Sequence, residues 1–139
     1  MVKRSKKSWQ VILPDNTKNP PQQHEIDAAE TVAKKFGYTI QFLEPLDDYK
    51  RKTPDVVMNG KIVEIKSPEG KSRKLTVRRQ FDRATKQLAN EMIFDGRRTK
   101  LPDEFLRREI LKELQKRHRI TRVIFIGKDK KVLEITKKT

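Results

Sequence analysis

Between His24 and Gly37 the apolar residues Ile26, Ala29, Val32, Ala33 and Phe36 recur at three- and four-residue steps, the spacing of one helix face. Gly37 supplies the stop, so the segment predicts an amphipathic helix. From Tyr38 the period shortens to two, and "YTIQFLEP" alternates as an edge-type strand. A polar connection, "LDDYKRK", leads into "TPDVVMNGKIVEIKSP", residues 53–68, where β-branched residues flank Asn59-Gly60 on both sides. A type I′ turn needs positive φ at both central residues, which Asn-Gly provides, so this stretch predicts a hairpin. Counting outward from the turn sets Met58 opposite Lys61, Val57 opposite Ile62, Val56 opposite Val63, and Asp55 opposite Glu64.

After a loop, "SPEGKSRK", residues 75–91 align Val77, Phe81, Ala84 and Leu88 on one helix face, bordered by Thr76, Gln80, Arg83 and Gln87. "MIFD" reads as a buried strand and "GRRTK" as a basic turn. Residues 102–118 open with Pro102 and two acids and carry Phe105, Leu106, Ile110 and Leu114 on one side, the signature of another helix. Its other side, with Arg107, Arg108, Lys112, Lys116 and Arg117, reads more readily as a charge-rich solvated face than as a phosphate-binding one. "RVIFIG", "KDKK" and "VLEI" close the chain as buried strand, tight turn and edge strand. The order αβββαβαββ indicates a single-domain α/β (α+β) fold, a mixed β-sheet flanked by helices.

Length is consistent with one domain: 139 residues suffice for one core. Lysine and arginine number 34 against 19 acids, a formal charge of +15, and such a field attracts polyanions, nucleic acid first among them. The basic run Lys3, Arg4, Lys6 and Lys7 marks residues 1–23 as a basic arm and linker, leaving 24–139 as the folded domain. There is no cysteine, which removes disulfides and cysteine-based zinc sites. No segment reaches the roughly 18 apolar residues of a membrane span, and the N-terminal region lacks a secretory pattern. A cytoplasmic site of action is therefore expected.

Asp55, Glu64 and Lys66 share one face of the predicted hairpin, because side chains alternate along a strand. Opposed acids about 5 Å apart repel. Lys66, a shared proton or a divalent cation can compensate. Two such carboxylates suit Mg²⁺ or Mn²⁺ held through Asp55 and Glu64, an ion that acidifies bound water and stabilises phosphoryl charge. Lys66 then either orients or deprotonates the attacking water or neutralises charge on the phosphate. Glu25 lies at the edge of its helix stripe, either facing the sheet or serving as an ordinary first-turn acid. A solvated strand face with an incidental ion pair is the bland alternative.

Pro54-Asp55 followed by Glu64-x-Lys66 resembles the PD-(D/E)xK nuclease signature, with Glu25 and Gln87 at positions where that superfamily places accessory site residues. The resemblance implies a restriction-endonuclease-like core. A longer pattern, "HE", "KTPD", "NG", "EIKSPEGKS", "RATKQ" and "DGRRT", resembles the C-terminal nuclease domain of contact-dependent growth inhibition toxins from about His24 to the chain end. That resemblance implies cleavage of tRNA, delivery as the tail of a larger exported toxin, and neutralisation by a cognate immunity protein. Starting at Met1 without a delivery region, the chain reads as an excised domain or a free-standing relative. Arg97, Arg98 and Thr99 match the family-like stretch and are expected on the phosphate backbone, together with Lys71, Arg73 and Arg83. The leading expectation is an RNA endonuclease centred on Asp55, Glu64 and Lys66. A metal-dependent DNA endonuclease, resolvase or restriction-like, is the nearest alternative, since the triad does not report the sugar. A non-enzymatic basic nucleic-acid-binding module comes third, weakened by the scarcity of base-stacking aromatics.

Overall fold

The computed structural model describes residues 8–14, 20–43, 56–69 and 76–137. Within them the elements run β1 (Gln10–Ile12), α1 (Gln23–Phe36), β2 (Thr39–Phe42), β3 (Val56–Met58), β4 (Lys61–Lys66), α2 (Thr76–Lys86), β5 (Glu91–Asp95), α3 (Asp103–Lys116), β6 (Arg122–Ile126) and β7 (Val132–Thr136). The strands lie side by side in chain order in one sheet. β1 is parallel to β2, β4 to β5 and β5 to β6, while the other neighbours are antiparallel. This is a single α/β domain with a seven-stranded mixed sheet and three helices. The order αβββαβαββ gains one strand in front, β1, in which Gln10, Val11 and Ile12 pair with Thr39, Ile40 and Gln41. Three residues carry too little alternation to signal a strand on their own.

Asn59 and Gly60 adopt φ of 52° and 75°, the left-handed pair that a type I′ turn requires. The turn fixes the register that counting predicts: Met58 to Lys61, Val57 to Ile62, Val56 to Val63. The Asp55–Glu64 pairing lies outside the described residues. Gln22 and Glu25 cap α1 reciprocally, the Gln22 N–H donating to Glu25 Oε1 at 2.9 Å. Gly37, at φ 72°, closes the far end through its N–H to the Ala33 carbonyl at 2.8 Å.

Helices cover both faces. α1 sets Ala28, Ala29, Val32 and Ala33 against Val56, Met58, Val63, Ile65, Ile93, Ile124 and Ile126. α2 and α3 build the second core with Val77, Phe81, Leu106, Ile110 and Leu114 over Met92, Phe94, Val123 and Phe125. Alternation then decides the orientation of the charged residues in β4. Val63 and Ile65 point to α1, so Glu64 and Lys66 point to the opposite face, the side of α2. Val57 and Ile62, on that same side, are only half-buried, and their neighbour Gln41 is exposed.

Two expectations for α2 are corrected. The helix ends at Lys86 instead of running to Glu91. Leu88 sits at φ 62° and is 56% exposed, not in the core. Its N–H bonds the Thr85 carbonyl and that of Ala89 bonds Ala84, a Schellman closure that turns the chain away from the helix. Glu91 begins β5, buried beside Lys61 and Arg122. The basic side of α3 behaves as a solvated face, with Lys112 paired to Glu109, Lys116 to Glu113, and Arg117 to Glu113 and Asp82. Among the described residues no helix is long and apolar enough to cross a membrane.

Candidate active site

The parallel strands β4, β5 and β6 end along one edge of the sheet, and some of the predicted site residues, Glu64, Lys66, Arg83 and Gln87, gather around the end of β4. Lys66 is the last residue of β4. Its ammonium lies 3.2 Å from Glu64 Oε2, with side-chain exposures of 15% for Lys66 and 1% for Glu64. Lys66 Nζ also donates to Gln87 Oε1 at 3.3 Å. The Gln87 N–H still bonds the Arg83 carbonyl at 3.1 Å, so its side chain continues the polar border of α2 and reaches the lysine. Glu64, Lys66 and Gln87, distant in sequence, are thus brought together.

Beside them opens a cleft of about 360 Å³ lined by Ile65, Lys66, Ser67, Pro68, Glu69, Thr76, Arg79, Gln80 and Arg83. The polar border of α2 therefore faces the site as its spacing suggested. Thr76, Gln80 and Arg83 line the cleft, and Gln87 holds the lysine. Arg79, which the helix pattern did not single out, adds a second guanidinium. An ammonium and two guanidiniums around one polar hollow have the donor chemistry that phosphate oxygens can accept, Lys66 as a point charge and the arginines as planar donors.

The remaining predicted residues separate. α1 packs on the Val63 and Ile65 side of the sheet, and the Glu25 carboxylate is used in the α1 cap; the structure does not group Glu25 with Glu64. Arg97 and Arg98 diverge although adjacent. Arg98 donates from Nη1 to the Ser67 carbonyl at 3.1 Å and pairs with Glu69, tying down the segment that follows β4 at the cleft. Arg97 forms a fork with Asp95, Nε to Oδ1 at 2.8 Å and Nη2 to Oδ2 at 2.9 Å. Those hydrogen bonds raise the Arg97 pKa further, against a smaller opposing effect of burial. Thr99 is buried, its hydroxyl accepting the Leu101 N–H. Asp55, Lys71 and Arg73 lie outside the described residues.

Lys128 also shapes this edge. From the turn after β6 its ammonium donates to the carbonyls of Gly96 and Leu101 and to Asp103 Oδ1, fixing the loop that carries Arg97 and Arg98. In the sequence "KDKK" signals only a turn, and nothing local marks the first lysine as a clasp.

Among the described residues no three histidines, cysteines or acids gather as a metal-binding group. Among the described residues of the site Glu64 is paired with Lys66 and Glu69 with Arg98, and neither carboxylate alone makes a Mg²⁺ site.

Residues 52–132 match the family described as "Contact-dependent growth inhibition CdiA C-terminal domain". No curated protein matches the chain. Among solved structures the fold is similar to that of the "CdiA-CT/CdiI toxin and immunity complex from Burkholderia pseudomallei", with a TM-score of 0.67 and 14% identity over 91% of this chain and 98% of that one. At that identity the likeness concerns the fold.

Proposed function

The chain belongs to the contact-dependent growth inhibition CdiA C-terminal domain family, and on that premise we propose that it is a toxin-type endonuclease that cleaves RNA, tRNA favoured over DNA. The observation that carries this reading is the buried Glu64 carboxylate held 3.2 Å from Lys66 at the mouth of a cleft with two arginines. In this reading Lys66 neutralises charge developing on the scissile phosphate, where a preoriented cation in a partly dry site is most effective. Glu64 keeps that ammonium in place from below, and Gln87 fixes it from the side. Arg79 and Arg83 bind flanking phosphate oxygens, with Arg98, Lys71 and Arg73 extending the contact along the backbone.

Asp55, one residue ahead of β3, is proposed as the second carboxylate, completing a PD-(D/E)xK arrangement on a restriction-endonuclease-like core. Mg²⁺ or Mn²⁺, if used, takes its protein oxygens from Asp55 and Glu64 and supplies an acidified water. Glu25, whose carboxylate accepts the Gln22 N–H in the α1 cap, is proposed as an accessory residue only. A cognate immunity protein is proposed as partner, supported by the similarity to the toxin of a toxin–immunity complex. Delivery as part of a larger toxin and action in the cytoplasm of the recipient belong to the same proposal.

The test is incubation with total tRNA and with plasmid DNA, each with and without EDTA. Cleavage of tRNA alone supports the reading. Cleavage of plasmid alone transfers the site to the DNA endonuclease alternative, and survival of tRNA cleavage in EDTA removes the metal while leaving the nuclease in place.

A further inference from the structure

A second polar groove lies on the α1 face of the sheet. Two hollows of about 520 and 450 Å³ share Thr31, Lys34 and Lys130 and so form one trough between α1 and the β6–β7 turn. Lys34, Lys35, Lys130 and Lys131 frame one end, and Asp27, Glu30 and Arg97 the other. Val132 is the only apolar residue among those lining it. All four lysines are exposed. Asp129 accepts the Lys131 N–H at 3.0 Å and lies 3.9 Å from the Lys131 ammonium, Lys34 lies over the Trp9 ring, and Asp27 accepts from Gln23 at 2.9 Å, so four lysines face the three acids Asp27, Glu30 and Asp129 around the trough.

The turn itself favours a functional reading. Gly127 and Lys131 close a three-residue loop whose last position, Lys130, has φ 69°. Glycine or asparagine relieves the strain of that conformation. Lysine at this position holds a cation at the rim at a conformational cost, as strained positions at binding sites do. The consecutive arginines link the two sites. Arg98 contacts Ser67 and Glu69 at the Lys66 cleft, while Arg97 lines the trough, so the β5–α3 loop is the ridge between them.

We propose that this trough binds the phosphate backbone of a second segment of the same polynucleotide whose scissile bond enters the Lys66 cleft, through Lys34, Lys35, Lys130 and Lys131. The inference rests on the proposed nuclease function only for the identity of the polyanion. It makes the substrate a folded RNA that presents one backbone segment to each side of the loop carrying Arg97 and Arg98.

The test is fluorescence anisotropy with labelled tRNA and with a short oligonucleotide at several salt concentrations. It compares the parent with Lys34→Ala/Lys35→Ala/Lys130→Gly/Lys131→Ala, in which the glycine relaxes the turn and helps preserve the fold. The variant is expected to bind tRNA about tenfold or more weakly at low salt and to lose about three from the salt slope, at roughly 0.7 to 0.9 for each of the four phosphate contacts removed, with oligonucleotide binding unchanged. An unchanged tRNA slope overturns the proposal, as does equal weakening for both ligands. Loss of binding to an acidic immunity protein with tRNA binding intact also overturns it and reassigns the trough to a protein partner. Because binding is read without cleavage, a chain that binds in this way but cuts no RNA refutes the nuclease reading and leaves the trough standing.

Discussion

Replacing Lys66 by methionine removes the ammonium while keeping most of the side chain's apolar volume, and the cost falls on Glu64. Breaking a buried ion pair by removing one partner costs about 3–5 kcal/mol, because a charge is left behind in a poor solvent. Two features place the expected value at or below the lower end of that range. Lys66 is 15% exposed against 1% for Glu64, so part of the attraction is already screened. The adjoining cleft can also admit water to the vacated position. A loss of about 2–3 kcal/mol is expected, which for a chain of this size lowers Tm by roughly 8–12 °C. Urea denaturation of the parent, Lys66→Met, Glu64→Gln and the double variant completes a cycle. The double variant should recover at least half of the loss, since glutamine no longer carries a charge that needs the ammonium. A Lys66→Met protein as stable as the parent, or a double variant no better than Lys66→Met, refutes the idea that Glu64 and Lys66 stabilise one another.

Three further outcomes follow from neighbouring structure. Leu88→Gly should stabilise by about 0.5–1 kcal/mol in thermal unfolding: leucine at positive φ costs about 1–2 kcal/mol, glycine returns part of that as unfolded-state entropy, and the side chain is largely exposed. Arg122→Met should cost about 2–4 kcal/mol in guanidine denaturation, because Glu91, 4% exposed, keeps only Lys61 at 3.5 Å; Glu134→Gln, which loses the outer partner of Arg122, at 48% exposure, should change stability by less than about 0.5 kcal/mol. Arg79→Ala/Arg83→Ala should reduce the salt slope of RNA binding by about one to two with little change in Tm, measured by anisotropy and calorimetry.

The hairpin and the helix borders were the most readable parts of the chain because each depends on a local rule. Asn59-Gly60 fixes a turn, the turn fixes the register, and period-two alternation then places Glu64 and Lys66 on one face without any knowledge of the remaining strands. The four-, three- and four-residue steps from Thr76 to Gln87 similarly put one polar edge towards the site. What remained hidden depends on distant pairing. β1 is a strand only because β2 offers an edge, Arg97 turns away from Arg98 because Asp95 ends β5 beside it, and Lys128 is a clasp only after the loop from Gly96 to Asp103 has folded over it. Leu88 misled for another reason: it falls at the right helical step from Ala84, yet the backbone has already reversed there, and periodicity does not register positive φ.

The central claim is that the Glu64–Lys66 pair at the end of β4 is the centre of an RNA-cleaving site. It is tested most directly by single-turnover cleavage of end-labelled tRNA by the parent, Glu64→Gln, and the double variant Glu64→Gln/Lys66→Met, each shown by circular dichroism to be folded at the assay temperature. The expected result is cleavage by the parent and a loss of about a hundredfold or more in both variants, in line with the removal of a preoriented charge-stabilising group, while tRNA affinity changes by less than about threefold. Cleavage by folded Glu64→Gln and the double variant at the parent's rate contradicts the assignment.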